Sequence, residues 1–168
     1  MTARTLLLMR HARAEGFADD DHSRRLTESG ARDAVATGRW LAAHAPAVDL
    51  ALVSSAVRAR ETFAGVGDGA SLDLEPHVED AMYAAAEDSA LEVLRAVPDA
   101  TGTVLWVGHN PTVAMLAQAL SDEDSDPDAL VSLTRGYPTA AVAVLSLSGP
   151  WSSLAAGTAR LTALHAPD

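Results

Sequence analysis

The chain is expected to fold as an α/β three-layer sandwich, a mostly parallel central sheet flanked by helices. Three observations lead there. Apolar runs of strand length, at residues 5–9, 50–53 and 103–107, alternate with segments of helical periodicity. Each run stops abruptly at polar or charged residues before a loop or helix. No internal repeat, linker or low-complexity stretch divides the 168 residues, a length suited to one domain, 1–168.

Residues 5–9, T-L-L-L-M, have the composition of a buried strand and end at Arg10, His11, Ala12 and Arg13. A polar loop follows over 14–25, with Asp19, Asp20 and Asp21 in a row. Thr27 offers an N-cap to a helix predicted over 28–44, where Ala31, Ala34, Val35, Gly38, Leu41 and Ala42 recur at helical spacing. Pro46 lies beyond its end. Residues 50–53 are a second strand ending at Ser54 and Ser55. A helix over 56–66 comes next, with Gly65, Gly67 and Gly69 marking the loop after it.

Residues 72–74 predict a short strand, residues 76–86 carry no clear period, and 89–97 predict a helix closed by Pro98. The strand at 103–107 leads into Gly108, His109, Asn110 and Pro111, then a helix over 112–120. The acidic run S-D-E-D-S-D-P-D at 121–128 reads as a solvated loop, since it lacks the glycine and closing glutamate of a calcium loop. Residues 130–133 predict a helical turn. Residues 140–147 and 158–164 alternate as two strands of an edge hairpin.

Composition excludes several functions. There is no cysteine, so a thiolate nucleophile, a disulfide and a Cys-ligated metal are all out. No apolar stretch reaches the ~18 residues of a membrane span, and residues 1–4 lack the start of a signal peptide, so a cytoplasmic protein is expected. A net charge of −11 argues against nucleic acid or an anionic membrane as a partner. All 12 basic residues are Arg, and nine of them lie before residue 61, crowded toward the N-terminal third. A coding bias accounts for the missing Lys but not for the crowding; a small cationic pocket would.

The strand ends carry the candidate chemistry. In a parallel sheet they share one edge, where open α/β sheets bind ligands. His11 and Arg10 follow the first strand, Arg58 sits in the first turn of the helix after the second, and His109 follows the strand at 103–107. A cation in a helix's first turn opposes the macrodipole by about 0.3–1 kcal/mol unless an anion sits there too. Pairing of Arg58 with Glu61 or Glu28 is the plain alternative. Guanidinium groups hold a tetrahedral dianion in bidentate fashion.

These residues resemble a known family. R-H-A at Arg10, His11 and Ala12 is similar to the R-H-G/A signature of the histidine phosphatase superfamily, also called phosphoglycerate mutase-like. Asp21-x-x-Arg24 with Leu26, Thr27 and Gly30 resembles the D-x-x-R-P-L-T-x-x-G segment of its short SixA-type branch. S-S-A-V-R-A-R-E-T at 54–62 and G-H-N-P at 108–111 resemble two further motifs of that branch. Arg25 and Ser55 stand where the pattern has proline, and Glu61 where it has glutamine. A looser loop at Arg25 is the expected consequence.

The resemblance implies a metal-independent phosphatase without cofactor. His11 would attack phosphorus as a neutral ring and form a phosphohistidine. Arg10, Arg58 and His109 would hold the phosphoryl oxygens, with Arg24 and Asp21 as further contacts and Arg13 as a lesser one. Nearby Arg charge should keep His11 neutral. Larger relatives add a carboxylic acid that protonates the leaving oxygen; here Asp21, Glu79 and Asp80 are the candidates. A weak acid favours N–P bonds, because the imidazole of a phosphohistidine can depart neutral. Protein phosphohistidine is therefore the expected substrate, with a small phosphomonoester or a non-catalytic phosphate-binding module as alternatives. A two-histidine metal site lacks the spacing for it. His22, His44, His77 and His165 are expected to be structural, and Tyr83 and Trp106 to belong to the core or rim. Nothing in the sequence sets an oligomeric state, and a monomer is compatible with it.

Overall fold

The structure, a computed structural model, describes residues 3–168; the first two residues of the 1–4 stretch lie outside it. Six strands form one sheet: β1 (Arg4–Arg10), β2 (Leu50–Ser54), β3 (His77–Glu79), β4 (Thr103–Gly108), β5 (Val142–Leu147) and β6 (Ala159–His165). Their order is β3-β2-β4-β1-β5-β6. The pairs β1–β4, β2–β4 and β2–β3 are parallel, while β5 runs antiparallel to both β1 and β6. The helices are α1 (Glu28–His44), α2 (Val57–Ala70), α3 (Glu87–Arg95), α4 (Thr112–Leu120) and α5 (Pro127–Arg135).

Alternation along β1 builds the three layers. Leu6 and Leu8 face a core shared with Leu91 and Leu94 of α3, Leu116 and Leu120 of α4, and Leu133 of α5. Leu7 and Met9 face the opposite core, with Ala34 and Leu41 of α1 and Phe63 and Val66 of α2. The β1 apolar side chains are fully buried, each a contribution of about 1.5–3 kcal/mol. Among the described residues, no helix is long and apolar enough to cross a membrane.

Helices α1 and α4 lie where the sequence predicts them, and Thr27 caps α1 by accepting from the Gly30 N–H at 3.0 Å. Helix α2 does not stop at its glycines. It runs to Ala70, and Gly65 and Gly69 let α1 and α2 touch. A Cβ on Gly38 would come within 2.4 Å of the Val66 carbonyl oxygen, and one on Gly69 within 2.1 Å of that of Val35. Residues 72–74 are not a strand; the short edge strand is β3, in the stretch without a clear period. The turn expected at 130–133 is a full helix, started by Asp126, whose carboxylate accepts from the Ala129 N–H at 2.9 Å.

Candidate active site

Three neighbouring parallel strands, β2, β4 and β1, deliver their carboxyl ends to one edge. The backbone there is tied across elements. The His11 N–H donates to Gly108 O at 2.9 Å, and the Ala12 N–H donates to Thr62 Oγ1 at 2.9 Å. Thr62 in turn donates to Arg58 O at 2.6 Å, so the loop after β1 is fixed to the first turns of α2. Gly30 lets α1 close on the same loop: a Cβ there would lie 2.1 Å from Arg13 O.

His11 is 9% exposed. Its Nδ1 sits 2.7 Å from the Ala12 carbonyl oxygen, which can only accept, so Nδ1 carries the proton and Nε2 keeps its lone pair. Burial, and then the charges of Arg58, Arg10 and Arg24, pull its pKa down to about 4 against the opposing Ala12 hydrogen bond. The ring is neutral at pH 7. Arg58 is 6% exposed and donates from Nε to His11 Nε2 at 3.3 Å.

His109 stands beside them, its ring centroid 5.2 Å from that of His11. Burial and the nearby His11 and Arg58 lower its pKa to about 3. Ser54, fully buried, accepts the Ala56 N–H at 3.3 Å and lies 2.7 Å from His109 Nε2. His109 Nδ1 is buried without a partner, so the contact with Ser54 is the one hydrogen bond the ring makes among the described residues.

Asp21 joins the group through Arg58, which is its partner in place of Glu61 or Glu28. Arg58 Nη1 donates to Asp21 O at 2.8 Å and Nη2 to Oδ2 at 3.2 Å. Arg24 Nε donates to Asp21 Oδ1 at 3.0 Å, and the Tyr83 hydroxyl donates to Oδ2. The Tyr83 hydrogen bond, ahead of the two guanidinium groups, holds the Asp21 carboxyl down to about 2. Arg10 donates from Nη1 to Tyr137 O at 2.9 Å, and its charge reaches His11.

Arg10, His11, Arg58, His109, Asp21 and Arg24 thus come together. Arg13 points its side chain to solvent and contributes its carbonyl to Gly30's approach. Glu79 ends β3 beside Ser54, and Asp80 is exposed; neither side chain makes a hydrogen bond or ion pair among the described residues. Trp106 is core, 1% exposed. His44 and His165 sandwich the Trp40 ring away from these groups, at centroid distances of 4.7 and 4.4 Å.

Some residues of the site escape sequence reasoning. Tyr83 is at the rim but also bonds Asp21 and lies edge-on to His109 at 5.7 Å. His22, expected to be structural, lies beside Tyr83: its Nε2 is 3.0 Å from Ser55 Oγ, and its ring meets Tyr83 edge-on at 5.0 Å. Ser54 and Thr62 stand inside the 54–62 motif and could have been singled out there. The loop at Arg25 is not loose. Arg25 Nε donates to Glu61 Oε1 at 2.8 Å, and Glu61 Oε2 accepts the Leu26 N–H at 2.8 Å. Two departures from the family pattern therefore compensate each other.

The sequence profile of the histidine phosphatase superfamily, branch 1, matches residues 6–101. An uncharacterized protein of Mycobacterium tuberculosis is 38% identical over 164 residues, 95% of this chain and 99% of that one. A Haemophilus influenzae protein named as a homolog of phosphohistidine phosphatase SixA is 34% identical over 125 residues, 68% of this chain and 76% of its own. A solved structure from Nakamurella multipartitia, provisionally named phosphohistidine phosphatase SixA, is 39% identical with a TM-score of 0.88. That alignment covers 99% of this chain and 98% of the other.

Proposed function

The chain belongs to the histidine phosphatase superfamily, and from that premise we propose that it hydrolyses phosphohistidine on a protein, with His11 as its nucleophile. Phosphatase chemistry is what the family and its SixA-named relatives share. The substrate and the residue roles are our reading.

In the first step His11 Nε2 attacks phosphorus. The N–P bond of the substrate breaks, and its imidazole, protonated on the far nitrogen, leaves neutral. His11 becomes a phosphorylated imidazolium whose Nδ1–H stays on Ala12 O. Arg58, which donates to the His11 lone pair at 3.3 Å, turns its N–H groups to the phosphoryl oxygens and frees that pair. Arg10 and His109 hold the remaining oxygens, and Arg24 adds a contact. Water then attacks phosphorus, the Nε2–P bond breaks, and phosphate leaves with the proton released by the water.

One observation carries the choice of substrate. Asp21, the carboxylate nearest these groups, is kept ionised by Tyr83, Arg24 and Arg58, down to a pKa of about 2. At neutral pH it has no proton to give an alkoxide. A neutral imidazole needs none. The test compares kcat/KM on a phosphohistidine peptide and on a simple alkyl phosphate, with His11→Ala as the control. The phosphohistidine peptide should lead by at least two orders of magnitude, the usual reach of general acid catalysis. Equal values would remove the reading.

A further inference from the structure

A cavity of about 560 Å³ lies between the end of α5 and the end of β6, lined by Arg10, Ser132, Arg135, Tyr137, Pro138 and Leu164 among others. Its size falls in the range of ordinary ligand pockets. It shares Arg10 with the site described above. That guanidinium has five N–H groups. Nη1 goes to Tyr137 O, Nε is buried without a partner, and Arg10 makes no ion pair among the described residues.

The second cation of the cavity is Arg135, in the last turn of α5. It is exposed and forms neither an ion pair nor a side-chain hydrogen bond among the described residues. Among the described residues, no Asp or Glu lines the cavity. A cavity of the same volume beyond Glu15 differs: it is lined by Glu15, Glu28, Glu61 and Asp68 against one cation, Arg25, which is paired with Glu61. In a chain of net charge −11, an acidic segment is repelled from the second cavity and drawn to the first.

We propose that this cavity takes an acidic side chain of the substrate protein, close to the phosphohistidine, with Arg135 as its partner and the apolar wall of Leu164 and Pro138 holding the adjoining chain. The proposal rests on the phosphohistidine reading of the neighbouring site. Arg135 acts on specificity alone; it touches none of the reacting atoms.

The experiment measures kcat/KM for the wild type and Arg135→Glu on three substrates: a phosphohistidine peptide with flanking Glu, the same peptide with flanking Ala, and free phosphoramidate. The wild type should prefer the Glu peptide, and Arg135→Glu should lower kcat/KM on it by about three- to tenfold, as expected for an exposed pair turned repulsive. Phosphoramidate turnover should not change, which also shows that the variant is folded. Equal turnover of the two peptides by the wild type, or an equal loss on all three substrates in the variant, would overturn the proposal. A wild type active on phosphoramidate but on neither peptide would overturn the phosphohistidine reading and this proposal with it.

Discussion

Arg58 and His11 meet nitrogen to nitrogen, the guanidinium Nε donating to the imidazole Nε2 at 3.3 Å. The contact joins a helix's first turn to the end of the central strand, and it is possible only if the imidazole is neutral. The same guanidinium binds Asp21 on its other side. In the proposed mechanism this positive group, held between a lone pair and a carboxylate, changes partners when a phosphoryl group arrives.

Arg58→Ala should lower kcat/KM by about 10²–10³, the usual cost of losing one preorganised donor to a developing anion. Arg58→Lys should recover little, since an ammonium cannot reproduce the fork. Steady-state kinetics on phosphoramidate check both. A tenfold loss or less in the alanine variant would mean that Arg58 serves Asp21 alone.

The pH profile should have its acid limb near 4 instead of the 6.5 of a free histidine, because burial and Arg charge hold His11 there. Stability follows the same groups. Between about pH 4 and 6.5 the unfolded chain binds more protons than the folded one, so the contribution of His11 and His109 is full above 6.5 and is lost as the pH falls toward 4 and then 3. Asp21 adds a contribution that is present above its unfolded pKa near 3.9 and lost as the pH falls toward about 2. Urea midpoints measured from pH 3 to 8 should decline on the acid side across the His window.

Ser54→Ala removes the hydroxyl partner of His109 Nε2 and leaves the ring without a side-chain hydrogen bond. The expected result is a drop of about tenfold in kcat/KM, the value of a typical hydrogen bond. The ¹⁵N shifts of His109 should report one tautomer in the wild type and a different tautomer population in the variant. An unchanged tautomer would contradict the role given to Ser54.

Arg25 and Glu61 should show measurable coupling. A double-mutant cycle of Arg25→Ala and Glu61→Ala in urea should give about 0.2–1 kcal/mol, as for other exposed pairs. Glu61→Gln should cost less than Glu61→Ala, because the amide oxygen can still accept the Leu26 N–H. Equal losses in those two variants would mean that the Leu26 contact contributes nothing.

Much of this arrangement is legible in the chain because its signals are local. Thr27 and Gly30 announce the start of α1, and the apolar runs of β1, β2 and β4 announce the sheet edge that gathers His11, Arg58 and His109. What escapes is long-range. Gly65 and Gly69 look like a loop in sequence and are a helix in space, since the close approach of α1 outweighs their poor helix propensity. Tyr83 reaches Asp21 across 62 residues, and nothing near either residue signals that contact. The pairing of Arg25 with Glu61 is hidden for the same reason, since each departure from the family pattern makes sense only beside the other.

The proposed chemistry forms a covalent bond at one nitrogen, His11 Nε2. The most direct measurement is rapid quenching of the wild type with ³²P-labelled phosphoramidate, followed by mapping of the labelled residue. A phosphoryl group that survives alkali, is lost in acid and maps to His11 is the predicted result. Full turnover by the wild type with no label on His11, or label retained in the His11→Ala variant, would contradict it.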